Sequence, residues 1–306
     1  MASLTAQQQM KILSRTSNPQ RLEQVLSQLA ITKSKIHQDK KVYYDEKKDK
    51  TAIEQYYANI DFTHSNSNQI ISSIKLLLKN THTNQVPYDP TEYVYPWVDL
   101  RPDGTLLSIY SGETRTPEEI IQEDFTTSLK RIREIQKSAI TNNEDIEALL
   151  VKIEKNFKYN CEHVVPQSWF NEREPMRGDI HHLFTCDPVC NSIRSNFPYT
   201  DFPNYNPTQK TIKRVEKTCG KAENSRFEPE NGKGAAARAT LYFLLRYPDQ
   251  IEAKFRDQLD INLLLKWHQE FPPDLYEKHR NQAIYEIQGN RNPFIDFPLE
   301  MLKVFI

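Results

Sequence analysis

Glycine is scarce in this chain and late to appear, and that constrains the fold more than any other feature. Of seven glycines in 306 residues, the first is Gly104. Tight turns with left-handed backbone favour glycine. A long opening stretch without it predicts a mostly helical N-terminal part. Two stripes at helical spacing agree: Leu22, Val25, Leu26 and Leu29, then Ile70, Ile71, Ile74, Leu77 and Leu78. Residues 33–50 between them are charge-dense and poor in apolar residues, and read as solvated helix or linker.

The character changes over residues 88–112. Tyr93, Val94, Tyr95, Trp97 and Val98 precede Pro102-Asp103-Gly104, and Leu106, Leu107, Ile109 and Tyr110 follow it. Aromatic and branched residues on either side of such a turn predict a β-hairpin. Thr116-Pro117-Glu118-Glu119 then starts a helix, with Thr116 as cap and Glu119 closing a capping box. Ile121, Phe125, Leu129 and Ile132 form its expected buried face, and Ile146, Leu149, Leu150 and Ile153 that of the next helix. Three C-terminal helices are expected over residues 235–247, 261–271 and 275–288, the last stopped by Gly289. No internal repeat is visible.

Length allows one large domain or two modest ones. A hydrophobic share of 38% with mean hydropathy of -0.72 predicts much solvated helix surface and some mobile segments. A net charge of -1 and pI near 6.7 argue against a whole-molecule electrostatic grip on nucleic acid. Any such grip must come from a local patch. Residues 210–238 offer one: they read as loop and carry eight Lys/Arg against four Glu. An ordinary solvated loop and a substrate contact both fit them.

No apolar run approaches the ~20 residues that span a bilayer, so no membrane partner is expected. Met1 to Met10 is polar and Gln-rich, without the apolar centre of a signal peptide. The expectation is either a protein kept inside the cell, for which an inhibitor protein is one candidate partner, or one whose leader is missing. Export with a missing leader is the simpler of the two. The four cysteines, Cys161, Cys186, Cys190 and Cys219, are open to disulfides, a zinc site or inert thiols.

Chemistry concentrates in residues 160–199. There lie Cys161-Glu162-His163-Val164-Val165-Pro166, Asp179-Ile180-His181-His182-Leu183-Phe184, and Asn191-Ser192-Ile193-Arg194-Ser195-Asn196-Phe197. Phosphodiester hydrolysis needs a base to activate water and a cation to hold the phosphate. Histidine titrates near neutrality and suits the base. Glu and Asn oxygens suit a hard cation such as Mg²⁺. A strand over residues 157–165, a second over 181–185 and a short helix over 187–196 would make a β–β–α unit, with Asn196 in the last helical turn. Glu162 and His163 are strand neighbours and should face opposite sides. Both serve one site only at a strand end or edge.

Each of these residues has a blander reading. His163 could be a satisfied core histidine, Glu162 a surface carboxylate and Asn196 a helix-terminal polar residue. His181 and His182 fit a structural hydrogen-bonding role as well as a phosphate contact.

At these motifs the sequence resembles the endonuclease I family of ββα-metal (His-Me finger) nucleases, whose members are periplasmic or secreted. The resemblance also takes in Met176-Arg177-Gly178, Ala237-Arg238-Ala239 with Tyr242-Phe243, and Gly289-Asn290-Arg291-Asn292-Pro293-Phe294. It covers about residues 88–298. It implies an α+β fold with a ββα-metal core and a β-hairpin in a largely helical domain. The division is 1–85, of open role, and 86–306, the nuclease domain. It implies His163 as general base and Glu162 and Asn196 as ligands of one Mg²⁺, with Mn²⁺ or Ca²⁺ as structural stand-ins. Substrate contacts are expected from Arg177, His181, Arg194 and Arg238. The implied reaction is largely sequence-non-specific cleavage of DNA, and of RNA as a further substrate, to 5′-phosphate and 3′-hydroxyl ends. The chain departs from several members in having only residues 167–176 between the two strands, and in carrying Phe297 where many have His. A catalytically idle nucleic-acid binder and a zinc-stabilised interaction module are the rival expectations. Oligomeric state is not legible.

Overall fold

Polar caps start the helices where the sequence has no glycine. In the computed structural model the Asn18 side chain accepts from the Gln20 and Arg21 amides and opens α1 (Pro19–Gln38). Asp45 does the same for α2 (Glu46–Tyr56), and Asn66 with Gln69 forms a capping box for α3 (Ser67–Thr81). Residues 13–63, 66–141, 146–205 and 218–305 are described. The N-terminal segment before them and residues 206–217, the first part of the basic stretch, lie outside the described residues. The two expected stripes are buried in part: Val25 and Leu29 on α1, Ile70, Ile74 and Leu78 on α3. Residues 33–50 are the end of α1, a 3₁₀ turn and the start of α2.

The hairpin expected over residues 88–112 is displaced. Asp89 caps α4 (Pro90–Tyr93), with Pro90 in its first turn, and the chain continues as a π-helical turn over Val94–Val98. Helix wins over β-propensity here because Asp89 and Pro90 together nucleate it. Pro102-Asp103-Gly104 is a tight turn closed by Gly104 N–H on Arg101 O at 2.8 Å. The pairing comes later, between β1 (Leu106–Leu107) and β2 (Thr114–Arg115).

The Thr116–Glu119 capping box forms, with the Glu119 amide 3.3 Å from Thr116 Oγ1, and opens α5 (Pro117–Thr141). Its buried face is more polar than expected. Asp124, Ser128 and Arg131 point inward, whereas Phe125, Leu129 and Ile132 are half-buried. Asp124 accepts from Tyr95 Oη at 2.8 Å and from the Asn160 amide at 3.0 Å, and Arg131 Nε donates to Phe157 O at 2.9 Å. That face therefore holds the backbone leading to the functional motif. α6 (Ile146–Asn156) buries Leu149, Leu150 and Ile153.

β3 (Cys161–His163) pairs antiparallel with β4 (Leu183–Thr185), in the register Cys161↔Thr185, Glu162↔Phe184, His163↔Leu183. α7 (Pro188–Arg194) follows, capped by Asp187. Residues 220–229 are not loop: β5 (Gly220–Glu223) and β6 (Arg226–Pro229) form a hairpin. Its turn residues Asn224 and Ser225 both have positive φ, 51° and 57°, so the turn lacks the glycine that would have announced it. Then come α8 (Lys233–Arg246), α9 (Ala253–Arg256), α10 (Ile261–Glu270), α11 (Leu275–Gln288), α12 (Pro293–Asp296) and α13 (Pro298–Phe305). Gly289 ends α11 in left-handed backbone, φ 87°.

Among the described residues the result is helices around three two-stranded antiparallel sheets, an α+β arrangement. The β3–β4 pair sits where three apolar clusters meet. Cys161 and Leu183 enter one with α1 and α4, Val164 and Phe184 another with α3, α8 and α10, and Val165 the third with Trp169 and Phe243. A buried ion network ties the two ends of the chain. Arg291 bonds Asp49 of α2 at 2.9 Å and Asp296 at 2.8 Å. No described helix is long and apolar enough to cross a membrane.

Candidate active site

The register of β3 sends consecutive side chains to opposite faces. Glu162 lies with Phe184 on the face of Tyr110 and Tyr199; His163 lies with Leu183 on the face of Tyr88. Both nevertheless line one cleft of about 190 Å³, with Asn196, Lys158, Gln167, Ser168 and Arg177. Among the described residues the sheet has only two strands. One edge of β3 is therefore free of a strand partner, and α7 reaches it through Asn191 Nδ2, 2.8 Å from Cys161 O.

His163 is buried, and its Nε2 lies 2.9 Å from Arg177 O. A carbonyl can only accept, so Nε2 carries the proton and Nδ1 keeps its lone pair. No described residue bonds Nδ1. Burial, with His182 and Arg177 nearby, pushes the His163 pKa well below the usual histidine range, so the ring is neutral near pH 7.

The Glu162 carboxylate is buried too. Its Oε1 accepts from Tyr110 Oη at 2.9 Å and sits 3.1 Å from Arg194 Nε. The Arg194 approach is a charge contact without hydrogen-bond alignment, since Nε makes no aligned bond. Burial pushes the Glu162 pKa up to about 7, against the pull of Arg194, Tyr110 and Lys158. Among the described residues nothing bonds Oε2. Asn196 lies two residues beyond α7, not within its last turn. Ser195, at φ 55°, ends the helix first. The half-buried Asn196 amide points its Nδ2 toward Ser168 Oγ at 3.5 Å, which leaves Oδ1 open. A buried carboxylate oxygen and an amide oxygen on one cleft are hard donors. They fit a hard divalent cation that completes its shell with water and phosphate. Among the described residues no group of three His, Cys, Asp or Glu could hold a metal.

Of the expected substrate contacts, Arg177 lines the cleft, whereas Arg194, Arg238 and His181 lie elsewhere. Arg194 is buried behind Glu162, its Nη atoms on Val164 O at 2.7 Å and Ser195 O at 3.1 Å. Arg177 lines the cleft, but its guanidinium is held by Gln167 Oε1 at 2.6 Å and Glu154 Oε1 at 3.0 Å. Arg238 is far inside, paired with Glu277 through two nitrogens and with Phe271 O. His181 packs on Tyr242 and approaches Asn290 O at 3.3 Å. The structure does not bring Arg238 or His181 to the cleft: both are spent on internal partners. Asp179 organises that region, accepting from Tyr242 and Tyr247 hydroxyls at 2.8 and 2.9 Å and from Gln288 Nε2 at 3.0 Å.

The cysteines divide. Cys190 of α7 is bonded to Cys219 beside β5, and Cys161 and Cys186 are buried thiols. The zinc reading loses two of its four thiols this way. Tyr110, Tyr199, Tyr88 and Lys158 were missed by sequence reasoning. Lone tyrosines and a lysine near a strand carry no signal until the register is known.

Comparison with known proteins bears on this geometry. A family model described as Endonuclease I matches residues 72–299. An extracellular deoxyribonuclease of Aeromonas hydrophila is 30% identical over 167 residues, covering 47% of this chain and 67% of the relative. A periplasmic deoxyribonuclease of the same organism is 33% identical, covering 41% and 50%. An extracellular ribonuclease of Bacillus amyloliquefaciens is 34% identical, covering 46% and 51%. The chain thus spans about half the length of the latter two relatives.

Proposed function

This chain belongs to the endonuclease I family, and from that premise we propose that it is a metal-dependent, largely sequence-non-specific endonuclease. It hydrolyses phosphodiester bonds of DNA, and of RNA as a second substrate, to 5′-phosphate and 3′-hydroxyl ends. The β3–β4–α7 unit serves as its ββα-metal core. Relatives named for both nucleic acids support both substrates. The observation that carries the reading is the tautomer of His163: Nε2–H is committed to Arg177 O, and Nδ1 has no partner among the described residues, on the cleft that Glu162 and Asn196 share.

In this mechanism His163 Nδ1 takes a proton from water as the water oxygen bonds to phosphorus. The bond from phosphorus to the 3′-oxygen breaks, and that oxygen takes up a proton from solvent. The Arg177 carbonyl keeps the imidazole in the working tautomer. Glu162 Oε2 and Asn196 Oδ1 would hold one Mg²⁺, for which Mn²⁺ or Ca²⁺ can stand in structurally, and which supplies positive charge at the phosphate and the leaving oxygen. Tyr110 and Arg194 fix the Glu162 carboxylate from behind. Backbone contacts suffice for cleavage without sequence preference.

The Cys190–Cys219 disulfide and the extracellular or periplasmic names of relatives support work outside the cytoplasm. The deciding experiment is cleavage of plasmid, single-stranded DNA and RNA by wild type and His163→Ala, each with Mg²⁺ and with EDTA. Mg²⁺-dependent cleavage by wild type alone is expected. Folded wild type that cleaves none of the three sinks the proposal.

A further inference from the structure

Three cationic side chains line the cleft: Arg131, Lys158 and Arg177. Two are already engaged. Arg131 Nε bonds Phe157 O at 2.9 Å and its guanidinium lies over the Tyr159 ring, 4.0 Å from the centroid. Arg177 is ion-paired with Glu154 and bonded to Gln167. Lys158 is different. It stands on the short segment between α6 and β3, four residues before Glu162, and is half-buried. Among the described residues nothing accepts a hydrogen bond from its ammonium group or pairs with it within ion-pair distance. Burial draws its pKa below that of a free lysine, against the longer-range pull of the Glu162 carboxylate.

Partial withdrawal of a cation from water without a partner carries a cost. An anion entering the cleft offsets that cost. We propose that Lys158 is the residue through which the cleft grips a nucleic-acid phosphate directly. This rests on the nuclease reading and deepens it by naming a backbone contact. Arg177 and Arg194 cannot take that role without giving up their contacts with Glu154 and Glu162. Lys158 leaves nothing unpaired when it turns to a substrate oxygen. As a point charge with three donors, it takes any phosphate whatever the base, in keeping with cleavage that ignores sequence.

The test uses the full chain in the His163→Ala background, in EDTA, with a fluorescent DNA duplex titrated across a range of salt. Lys158→Ala and the near-isosteric Lys158→Gln should weaken binding about equally. Each should flatten the slope of log binding constant against log salt by about 0.9, one phosphate contact. Lys158→Arg should keep the slope. In otherwise wild-type enzyme the Ala and Gln variants should raise KM several-fold with kcat changed less. An unaltered salt slope in both neutral variants, while wild type still cleaves DNA, overturns the inference and leaves the nuclease reading standing. Equal loss in Lys158→Arg, with a lowered Tm, also overturns it, because it assigns Lys158 a structural role. Wild type that neither binds nor cleaves DNA or RNA removes both readings together.

Discussion

Arg194 Nε lies 3.1 Å from Glu162 Oε1, and both side chains are almost wholly removed from solvent. Such a pair contributes little net stability, but breaking it leaves a charge stranded in the interior. Arg194→Met should therefore cost roughly 3–5 kcal/mol, read by urea denaturation. The double variant Arg194→Met with Glu162→Gln should lose clearly less than the two single losses combined. Additive losses would show that the two groups do not stabilise each other.

His163 is expected to set the acid side of the pH–rate profile. Its pKa is depressed by burial, and the working form is the neutral ring. Glu162, raised by burial to about 7, must also be ionised to hold the metal, so at saturating Mg²⁺, which favours that form, activity should fall only at a pH below the ordinary histidine value of about 6.5. His163→Ala should lower kcat by about 10²–10⁴-fold with an unchanged far-UV circular dichroism spectrum. An acid limb centred above pH 7 in kcat/KM would contradict the assignment.

Asp179 links stability to pH. Burial opposes its charge, but the facing imidazoles of His82, His181 and His182 and the Gln288 amide outweigh that and hold the carboxyl below the usual range. The folded state therefore binds fewer protons here than the unfolded chain in acid. Its contribution is present in full above the unfolded value of about 4 and is lost as pH falls below it. Asp179→Asn should be destabilised at pH 7 by about 1–3 kcal/mol per donor left unsatisfied. The gap from wild type should narrow toward pH 3, as measured by thermal melts across pH.

The Cys190–Cys219 bond closes a loop of sequence separation 29. Chain-entropy reasoning gives it about 3–4 kcal/mol. It also ties α7, and so the approach to Asn196, to the β5–β6 hairpin. Cys190→Ser should lower Tm and raise the Mg²⁺ concentration needed for half-maximal cleavage. A variant with unchanged metal requirement would separate the disulfide from the site.

Much of this was legible in sequence where the signal is local. The helix caps at Thr116 and Gly289, the helical stripe of α3 and the Glu162-His163 motif are such cases. Residues whose work is decided by distant partners were not legible. Arg238 looks like a surface cation until Glu277, on another helix, claims it. Asp124 and Arg131 break the apolar pattern of α5 because they serve the backbone near β3. The β5–β6 hairpin was hidden by its Asn224-Ser225 turn, and the first hairpin was displaced by the cap at Asp89.

The Arg291 network reaches outside the region the family model describes. That model begins at residue 72, yet Asp49, which neutralises part of Arg291, belongs to α2. Val25 and Leu29 of α1 share their apolar cluster with Cys161 and Leu183 of the β3–β4 pair. The boundary drawn by ancestry is thus not a boundary of cohesion. A shortened chain running from 72 to 299 would retain every proposed site residue and still shed a wall of the interior that keeps β3 in place.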